Sequence, residues 1–248
     1  MNASFTGKAA IITGGGTGIG RTISELLAEA GVQVAVVYSR SEAEALDTVT
    51  CIRAAGGTAM MIKADVTVKS DVAAAVQKTL DTFGRLDYLV NNAGTTRQLP
   101  FSDLDAIEDA MWDELFAVNV KGAFHFSREA APHLRRQAGS AIVNVGSSSG
   151  ETGYGSSIPY AVSKAAMHGM TRSLARALAP EIRVNAIAPG AVDTRWWSGN
   201  EEKIRALASH LPLRRISTPQ DIARTVLMLL AAESVTGQIL RADNGQTL

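Results

Sequence analysis

The chain has 248 residues, of which 46% are hydrophobic and 19% are charged, which is ample material for one well-buried core. Its 24 basic residues balance its 24 acidic ones without a block of like charge, which argues against nucleic acid or an anionic membrane as the main partner. We therefore expect a small neutral or modestly charged ligand.

The only cysteine is Cys51, so we expect no intrachain disulfide and no dependence on an oxidising compartment. The first apolar run, at 9–12, is too short for a signal segment. The longest, at 226–232, is well under the roughly 20 residues that span a bilayer. These features predict a cytoplasmic protein. The histidines lack metal-ligand spacing, so we expect no zinc site.

Short apolar runs alternate with longer amphipathic ones. The apolar runs predict strands over Ala9–Thr13, Val34–Tyr38, Ala59–Ile62, Leu86–Val90, Ala141–Val145, Val184–Ile187 and Ile239–Arg241. The amphipathic ones predict helices over Gly18–Ala30, Glu42–Ala55, Ser70–Phe83, Asp105–Arg136, Pro159–Ala179 and Thr218–Ala231. Apolar strands separated by helices indicate a parallel sheet covered on both faces. We predict one doubly wound α/β domain over 1–248, with an irregular excursion at about 191–218.

A glycine-rich turn joins the first predicted strand to the first helix, with five glycines in the seven positions 14–20. Glycine permits a tight turn and close approach of the backbone to a pyrophosphate, and a helix N-terminus favours phosphate. The spacing is G-x-x-x-G-x-G, which departs from the usual G-x-G-x-x-G. The turn predicts a dinucleotide diphosphate site.

The end of the second predicted strand bears on the choice of cofactor. An acidic residue is expected there when the cofactor has a free 2′-hydroxyl. Here the strand ends at Tyr38 and continues with Ser39 and Arg40, and a hydroxyl with a guanidinium suits a 2′-phosphate. We therefore predict NADP(H) rather than NAD(H). The alternative is that Arg40 simply points into solvent.

Tyr160 and Lys164 lie at i and i+4 in a predicted helix and so share a face. A single Y-x-x-x-K match carries little weight in a chain of this length, but its context adds to it. Ser147 follows the fifth strand directly, and Asn91-Asn92-Ala93-Gly94 follows the fourth. Both segments therefore lie at the carboxyl edge of the sheet, where doubly wound folds bind ligands.

These motifs together resemble the short-chain dehydrogenase/reductase family, in its compact single-domain branch, over essentially the whole chain. The matching segments are TGGGTGIG at 13–20, Asp65, NNAG at 91–94, Asn119, Ser147, YAVSK at 160–164 and PGAVDT at 189–194. The resemblance implies a Rossmann-type fold and an NAD(P)-dependent enzyme that interconverts a ketone and a secondary alcohol. The chain is similar to 3-oxoacyl-[acyl-carrier-protein] reductases and related carbonyl reductases.

The resemblance also implies a role for each catalytic residue. Tyr160 is expected to give its proton to the carbonyl oxygen, and Ser147 to orient that oxygen. Lys164 is expected to bind the nicotinamide ribose and lower the pKa of Tyr160, and Asn119 to hold a water that links Lys164 to solvent. Since a free tyrosine has a pKa of about 10, work near pH 7 needs a shift of roughly 3 units, which a nearby ammonium and an oxidised nicotinamide favour.

By the same resemblance, the glycine turn holds the diphosphate, Asp65 and Val66 meet the adenine, and Val192 and Thr194 meet the nicotinamide carboxamide. The full set of expected cofactor contacts is Gly14, Gly16, Thr17, Gly18, Ile19, Gly20, Ser39, Arg40, Asp65, Val66, Asn92, Ala93, Gly94, Tyr160, Lys164, Pro189, Gly190, Val192 and Thr194. Asp65 as a strand-end cap and Thr194 as a turn residue are the plain alternatives.

Several functions stay open at this point. The substrate is a 3-oxoacyl thioester of fatty-acid synthesis or else a sugar, polyol, steroid or xenobiotic ketone. The short, acidic Ala179-Pro180-Glu181 before Arg183 argues against acyl carrier protein as the partner. A catalytically inactive nucleotide-sensing regulator is disfavoured, because such proteins usually lose the tyrosine or the lysine. An enoyl reductase would separate these two residues further, and an extended-branch epimerase or dehydratase would need a longer C-terminal region.

The family keeps a substrate lid after PGAVDT, where Trp196 and Trp197 lie. We expect one of these tryptophans to pack against the body and the other to touch substrate. Arg195 and Lys203 either attract an acidic substrate or are solvated. The resemblance further implies a homotetramer (or dimer), with helices around 105–136 and 159–179 at an interface.

Overall fold

A computed structural model describes residues 5–195 and 201–248. Within these ranges the chain forms one parallel sheet, with strand order β3-β2-β1-β4-β5-β6-β7. The strands are β1 (Ala9–Thr13), β2 (Gln33–Tyr38), β3 (Ala59–Lys63), β4 (Tyr88–Asn91), β5 (Ala141–Val145), β6 (Arg183–Pro189) and β7 (Ile239–Ala242). The predicted seven-stranded, doubly wound α/β fold is confirmed.

Helices cover both faces of this sheet. They are α1 (Gly18–Glu29), α2 (Glu42–Ala54), α3 (Lys69–Phe83), α4 (Asp109–Phe116), α5 (Ala123–Leu134), α6 (Ser149–Thr152), α7 (Ile158–Leu178), α8 (Glu201–His210) and α9 (Pro219–Ala231). The N-terminus of α9 has a capping box, in which the side chains of Thr218 and Asp221 accept from each other's backbone N–H groups. No helix among the described residues is both long and apolar enough to cross a bilayer.

Strand side chains alternate between the two faces of the sheet, and both faces are buried. On one face Ala10, Ile12, Val34 and Val36 pack in a cluster with residues of α1, α2 and α9. On the other face Ile11, Ala35 and Val37 pack in a cluster with residues of α3, α5 and α7. Each fully buried Val or Ile side chain contributes about 1.5–3 kcal/mol to folding, so this two-sided core fixes the strand ends on which the site is built.

The predicted unbroken helix over Asp105–Arg136 is wrong. The first turn begins at Asp109, and a π-helical segment, Ala117–Gly122, separates α4 from α5. A Cβ at Gly122 would lie 2.5 Å from Val66 Cγ2. Only glycine therefore lets the helix backbone pass this close to the Val66 side chain. Such one-turn widenings often accompany functional positions, and this one contains Asn119.

Two other predicted boundaries need correction. The helix predicted over Ser70–Phe83 begins at Lys69, with Val68 as its N-cap, because an Asx turn at Asp65 leads directly into the first helical turn. The segment predicted to be irregular at 191–218 contains α8, whose Ile204 is buried. Trp196 and Trp197, and the side chain of Lys203, lie outside the described residues.

The sheet opens to ligands between β1 and β4. From β1 the chain winds outward through β2 to β3, and then returns to β4 on the opposite side of β1. The connections after β1 and β4 therefore diverge at their carboxyl ends, which is the switch point where doubly wound sheets bind ligands. The glycine turn after β1 and NNAG after β4 both lie there.

Candidate active site

A cleft of about 760 Å³ lies at the carboxyl ends of the strands. It brings together every predicted catalytic and cofactor-contact residue except Gly20 and Asn119, which lie behind its wall. Segments that are far apart in the sequence, from the glycine turn to PGAVDT, therefore form a single surface. A volume of this size is typical of small-molecule and cofactor sites.

The glycines of the turn after β1 serve different purposes. Gly14 and Gly18 have φ of +62° and +51°, a left-handed backbone that favours glycine. A Cβ at Gly16 would lie 2.8 Å from Ala45 Cα, and one at Gly20 would lie 2.2 Å from Gly14 O. By contrast, a Cβ at Gly18 would meet only Thr194, at 3.7 Å or more. Gly18 thus leaves open space on the cleft side, as close approach of a diphosphate requires.

The N-terminus of α1 faces this space. The first-turn N–H groups lack intrahelical acceptors, as in any helix, and the N-cap, Thr17, makes no side-chain cap bond that would satisfy them. Asn92 holds the turn in place, because its Nδ2 donates to Thr13 O at 3.0 Å and to Gly14 O at 3.1 Å. Unpaired N–H groups at a helix N-terminus bind phosphate, so these residues fit the diphosphate of NAD(P).

Tyr160, Ser147 and Lys164 meet on the opposite wall. Ser157 caps α7 by accepting from Tyr160 N at 3.4 Å, which sets Tyr160 in the first turn. The Tyr160 phenol hydrogen-bonds with the Ser147 side chain. Lys164 lies one turn later, with Nζ donating to Val145 O at 2.9 Å and lying 5.8 Å from the centroid of the Tyr160 ring.

Burial controls the acidity of this group of residues. It raises the pKa of Tyr160 to about 12, although the hydrogen bond with Ser147 lowers it somewhat. Burial also lowers the pKa of Lys164 to about 8. The expected lowering of the Tyr160 pKa is therefore absent from the protein on its own, because desolvation of the phenolate outweighs the other influences. Tyr160 is accordingly protonated at pH 7.

Asn119 braces the site from behind. Its Nδ2 donates to Thr95 O and to Ser163 Oγ, both at 3.0 Å, and its Oδ1 accepts from Thr95 N at 2.8 Å. Ser163 Oγ in turn donates to Tyr160 O at 2.7 Å. Asn119 therefore ties the π-helical segment to the turn that carries Tyr160. A methyl at Gly94 would lie 3.4 Å from Asn119 Oδ1 and 3.7 Å from Lys164 Nζ. Both polar groups therefore border the same small space beside Gly94.

The far end of the cleft carries the residues predicted for the adenosine. Ser39 and Arg40 are exposed, and Arg40 has no hydrogen bond or ion pair with the rest of the described chain. Asp65 Oδ1 accepts from Thr67 N at 2.8 Å and from Thr67 Oγ1 at 2.7 Å. Asp65 thus acts as a strand-end cap, the plain alternative, while it also lines the cleft.

Comparison with known proteins identifies the family. Residues 14–247 match a family model described as enoyl-(acyl carrier protein) reductase. The chain is 40% identical over 243 residues to a protein named ketoacyl reductase 2 of the granaticin polyketide synthase, from Streptomyces violaceoruber, with 96% of each chain covered. It is 36% identical over 242 residues to a 3-oxoacyl-[acyl-carrier-protein] reductase of Staphylococcus aureus, covering 96% of this chain and 97% of the relative.

Comparison with solved structures indicates the same family. A crystal structure of a dehydrogenase/reductase from Sinorhizobium meliloti superposes with a TM-score of 0.91 at 35% identity, over 99% of this chain and 98% of the other. The chain belongs to the short-chain dehydrogenase/reductase family. It is an NAD(P)-dependent oxidoreductase that acts on CH–OH groups, and the predictions of family and enzyme class are confirmed.

Sequence reasoning missed part of the lining of this dehydrogenase/reductase cleft. The additional lining residues there include Thr95, Gln98, Glu114, Tyr154, Ser156, Leu207 and Gln246. Gln98 follows NNAG by four positions, and that proximity was an available signal. Gln246 carries no such signal, because only the fold brings it to Ala191, whose N–H donates to Gln246 Oε1 at 3.2 Å.

His168 lies beneath the loop that carries Ser147. A Cβ at Gly146 would lie 2.4 Å from His168 Nε2, and one at Gly150 would lie 2.9 Å from His168 Cε1. The imidazole therefore fills the space that these two glycines leave. It is 3% exposed, and its Nε2 has no hydrogen-bond partner among the described residues. Burial lowers the pKa of His168 to about 4, despite the opposing charge of Glu151.

This burial predicts a pH dependence of stability. His168 is neutral in the folded state down to about pH 4 but takes up a proton near pH 6.5 when unfolded. Its contribution is therefore present above pH 6.5 and is lost as pH falls towards 4. We expect wild-type protein to lose about 3 kcal/mol more of its free energy of unfolding than His168→Gln over that window. Urea denaturation at pH 7 and pH 4 measures the difference, and equal losses would contradict it.

Proposed function

We propose that this protein reduces a ketone to a secondary alcohol with NADPH, and that Tyr160 is the proton donor. The observation that carries the proposal is the hydrogen bond between the Tyr160 phenol and Ser147 at the cleft wall, with the Lys164 ammonium one helical turn away. A tyrosine phenol with its ordinary pKa of about 10 is protonated at pH 7, and burial raises the pKa of Tyr160 further, so Tyr160 has a proton to give to the carbonyl oxygen in reduction.

Each residue then has a distinct task. NADPH, when bound, supplies the hydride. Ser147 donates a hydrogen bond to the carbonyl oxygen and orients it, and Tyr160 gives that oxygen its phenolic proton. The phenolate that remains is stabilised by the positive charge of Lys164. A proton then returns to Tyr160 through Lys164. Lys164 Nζ and Asn119 Oδ1 both border the space beside Gly94, which we assign to the water that supplies this proton.

The remaining cleft residues form the cofactor site of this proposal. The glycine turn and the N-terminus of α1 hold the diphosphate, and Asp65 and Val66 contact the adenine. Val192 and Thr194 contact the carboxamide, and the segment at 191–218 forms a substrate lid, which is supported by Leu207 in the cleft lining. Ser39 and Arg40 bind the 2′-phosphate, since Arg40 has no partner in the described chain.

A 3-oxoacyl thioester is the favoured substrate among the alternatives. Two relatives with 40% and 36% identity carry names of ketoacyl and oxoacyl reductases. The four-residue spacing of Tyr160 and Lys164 favours ketone reduction over the enoyl reduction in the family model's description. Retention of all four residues of the catalytic set argues against an inactive regulator.

A substrate panel tests this assignment. Purified protein is offered 3-oxoacyl thioesters, enoyl thioesters, sugars and bulky ketones with NADPH, and cofactor oxidation is followed by absorbance. We expect turnover of 3-oxoacyl thioesters and none of enoyl thioesters. Turnover of sugars alone would move the assignment to a polyol dehydrogenase, and oxidation of no substrate would favour the regulator.

A second prediction concerns the cofactor. Hydrogen bonds to charged groups contribute about 1.5–3 kcal/mol, so we expect NADPH to bind at least about tenfold more tightly than NADH. Arg40→Ala should remove most of that preference and leave NADH binding unchanged. Fluorescence titration with both cofactors measures it. Tighter binding of NADH by wild-type protein would contradict the role of Ser39 and Arg40.

We further propose a cytoplasmic homotetramer. Phe124 on α5 and Val162 on α7 expose apolar side chains on the two helices expected at an interface. Cys51 is the only cysteine, so the fold needs no intrachain disulfide and is compatible with a reducing compartment.

A further inference from the structure

Arg195 follows the PGAVDT segment and crosses the mouth of the cleft. Its Nη2 lies 3.3 Å from Thr17 Oγ1 and 3.5 Å from Ser41 Oγ, and its Nη1 lies 3.4 Å from Glu44 Oε1. Thr17 and Ser41 are the N-caps of α1 and α2. The guanidinium therefore links the segment after PGAVDT to both helix N-termini. Sequence reasoning left Arg195 as a solvated residue or an attractor of an acidic substrate, but these contacts lie in the cofactor half.

All three contacts are long. Ordinary N–H···O hydrogen bonds span 2.7–3.2 Å. The other ion pairs of the described chain have N–O distances of 2.5–2.8 Å, whereas the Arg195–Glu44 distance is 3.4 Å. A guanidinium presents five donors that suit two parallel bonds to one anion. Arg195 instead spreads these donors over three acceptors at 3.3–3.5 Å, so the guanidinium keeps donor capacity for an anion.

The cleft lining near Arg195 contains other donors, Arg40 and Ser41. Arg40 lies beside Ser41 in the sequence and has no partner in the described chain. Ser41 makes no side-chain cap bond, so its hydroxyl and the first N–H groups of α2 are available as donors. Of the two carboxylates in the first turn of α2, Glu42 hydrogen-bonds with the Tyr38 hydroxyl. Glu44 is the one that contacts Arg195.

We propose that Arg195 is a specificity residue for the cofactor: its guanidinium binds the 2′-phosphate of NADPH together with Arg40, which lines the same cleft. This inference rests on the NADPH preference proposed above. The 2′-phosphate then takes the donors that Thr17, Ser41 and Glu44 share in the protein alone.

Glu44 opposes binding of the phosphate in this proposal. In the protein alone its carboxylate is the charged partner of Arg195, so it competes with a phosphate for the same guanidinium. It also repels that phosphate directly. Removing the charge of Glu44 should therefore strengthen binding of NADPH, whereas removing the guanidinium of Arg195 should weaken it.

Cofactor binding to Arg195→Met and Glu44→Gln tests the proposal without relying on turnover. Arg241→Met is the matched control, since Arg241 is another exposed arginine paired with a glutamate, Glu151, outside the cleft lining. NADPH, NADH, 2′-AMP and 5′-AMP are titrated by calorimetry. Arg195→Met should weaken NADPH and 2′-AMP about tenfold and leave NADH and 5′-AMP unchanged. Glu44→Gln should tighten the two 2′-phosphate ligands, and Arg241→Met should alter none.

The possible outcomes distinguish failure of the Arg195 inference from failure of the proposed NADPH preference. Equal weakening of NADPH and NADH by Arg195→Met would assign the residue to the diphosphate and overturn the inference, as would no change in either. In both cases a wild-type preference for NADPH that Arg40→Ala abolishes would leave the cofactor proposal standing. Tighter binding of NADH by wild-type protein would overturn both.

Discussion

Replacement of Tyr160 by phenylalanine is expected to reduce ketone-dependent NADPH oxidation by about 10³-fold, the middle of the range for loss of a general acid. The variant keeps the ring, which is 8% exposed, and loses only the oxygen that hydrogen-bonds with Ser147. Binding of NADPH should therefore be close to wild type, which separates a chemical effect from loss of the site.

Tyr88→Phe is the matched control. The Tyr88 hydroxyl accepts from Lys8 Nζ at 2.8 Å, at the amino end of β4, across the sheet from the cleft. Its loss should lower the free energy of unfolding by about 1 kcal/mol and leave turnover unchanged. Lys164→Met should also abolish turnover, because the phenolate would lose its stabilising cation. Turnover by Tyr160→Phe at the wild-type rate would refute the proposed mechanism.

Gly20→Ala is expected to have the next largest effect. Although glycine is a poor helix former, a methyl here would lie 2.2 Å from Gly14 O and 2.4 Å from Asn92 Nδ2. The backbone of the glycine turn would have to shift, at a cost of about 1–3 kcal/mol. The same shift moves the N–H groups that we assign to the diphosphate, so NADPH affinity should fall by at least about tenfold.

Gly169→Ala separates this effect from helix propensity. Gly169 lies inside α7 with nothing within 4 Å of an added Cβ, so alanine there should stabilise the protein by about 1 kcal/mol and leave cofactor binding unchanged. Urea denaturation and NADPH titration of both variants give the comparison. If Gly20→Ala matched wild type in both measurements, Gly20 would not hold the turn against Gly14.

Local patterns predicted the sheet well, because each strand is a run of apolar residues buried on both faces. The turn at 14–20 and the Y-x-x-x-K pair could be predicted for a similar reason. The backbone freedom of glycine and the spacing of a helix are both local properties of a few residues. The break at Ala117–Gly122 was not predictable in this way. At the end of this segment Gly122 lies close to Val66, from a distant part of the chain, and no local pattern records that contact.

Electrostatics was the least accessible property. The expectation that Lys164 lowers the pKa of Tyr160 considered charge alone, whereas burial raises that pKa to about 12. The extent of burial follows from how α7 packs against β5 and its loop, which no short motif records. Arg195 was noted in the sequence as a charge near the lid, but its contacts with Thr17 and Ser41 join segments more than 150 positions apart.

The most direct test of the central claim is a single-turnover experiment. Protein saturated with NADPH is mixed with a 3-oxoacyl thioester, and the rate of NADPH oxidation is followed for wild type and Tyr160→Phe. We expect both proteins to bind NADPH with similar affinity and the rate constant of oxidation to fall by about 10³-fold in the variant. Equal rate constants would contradict the assignment of Tyr160 as the proton donor.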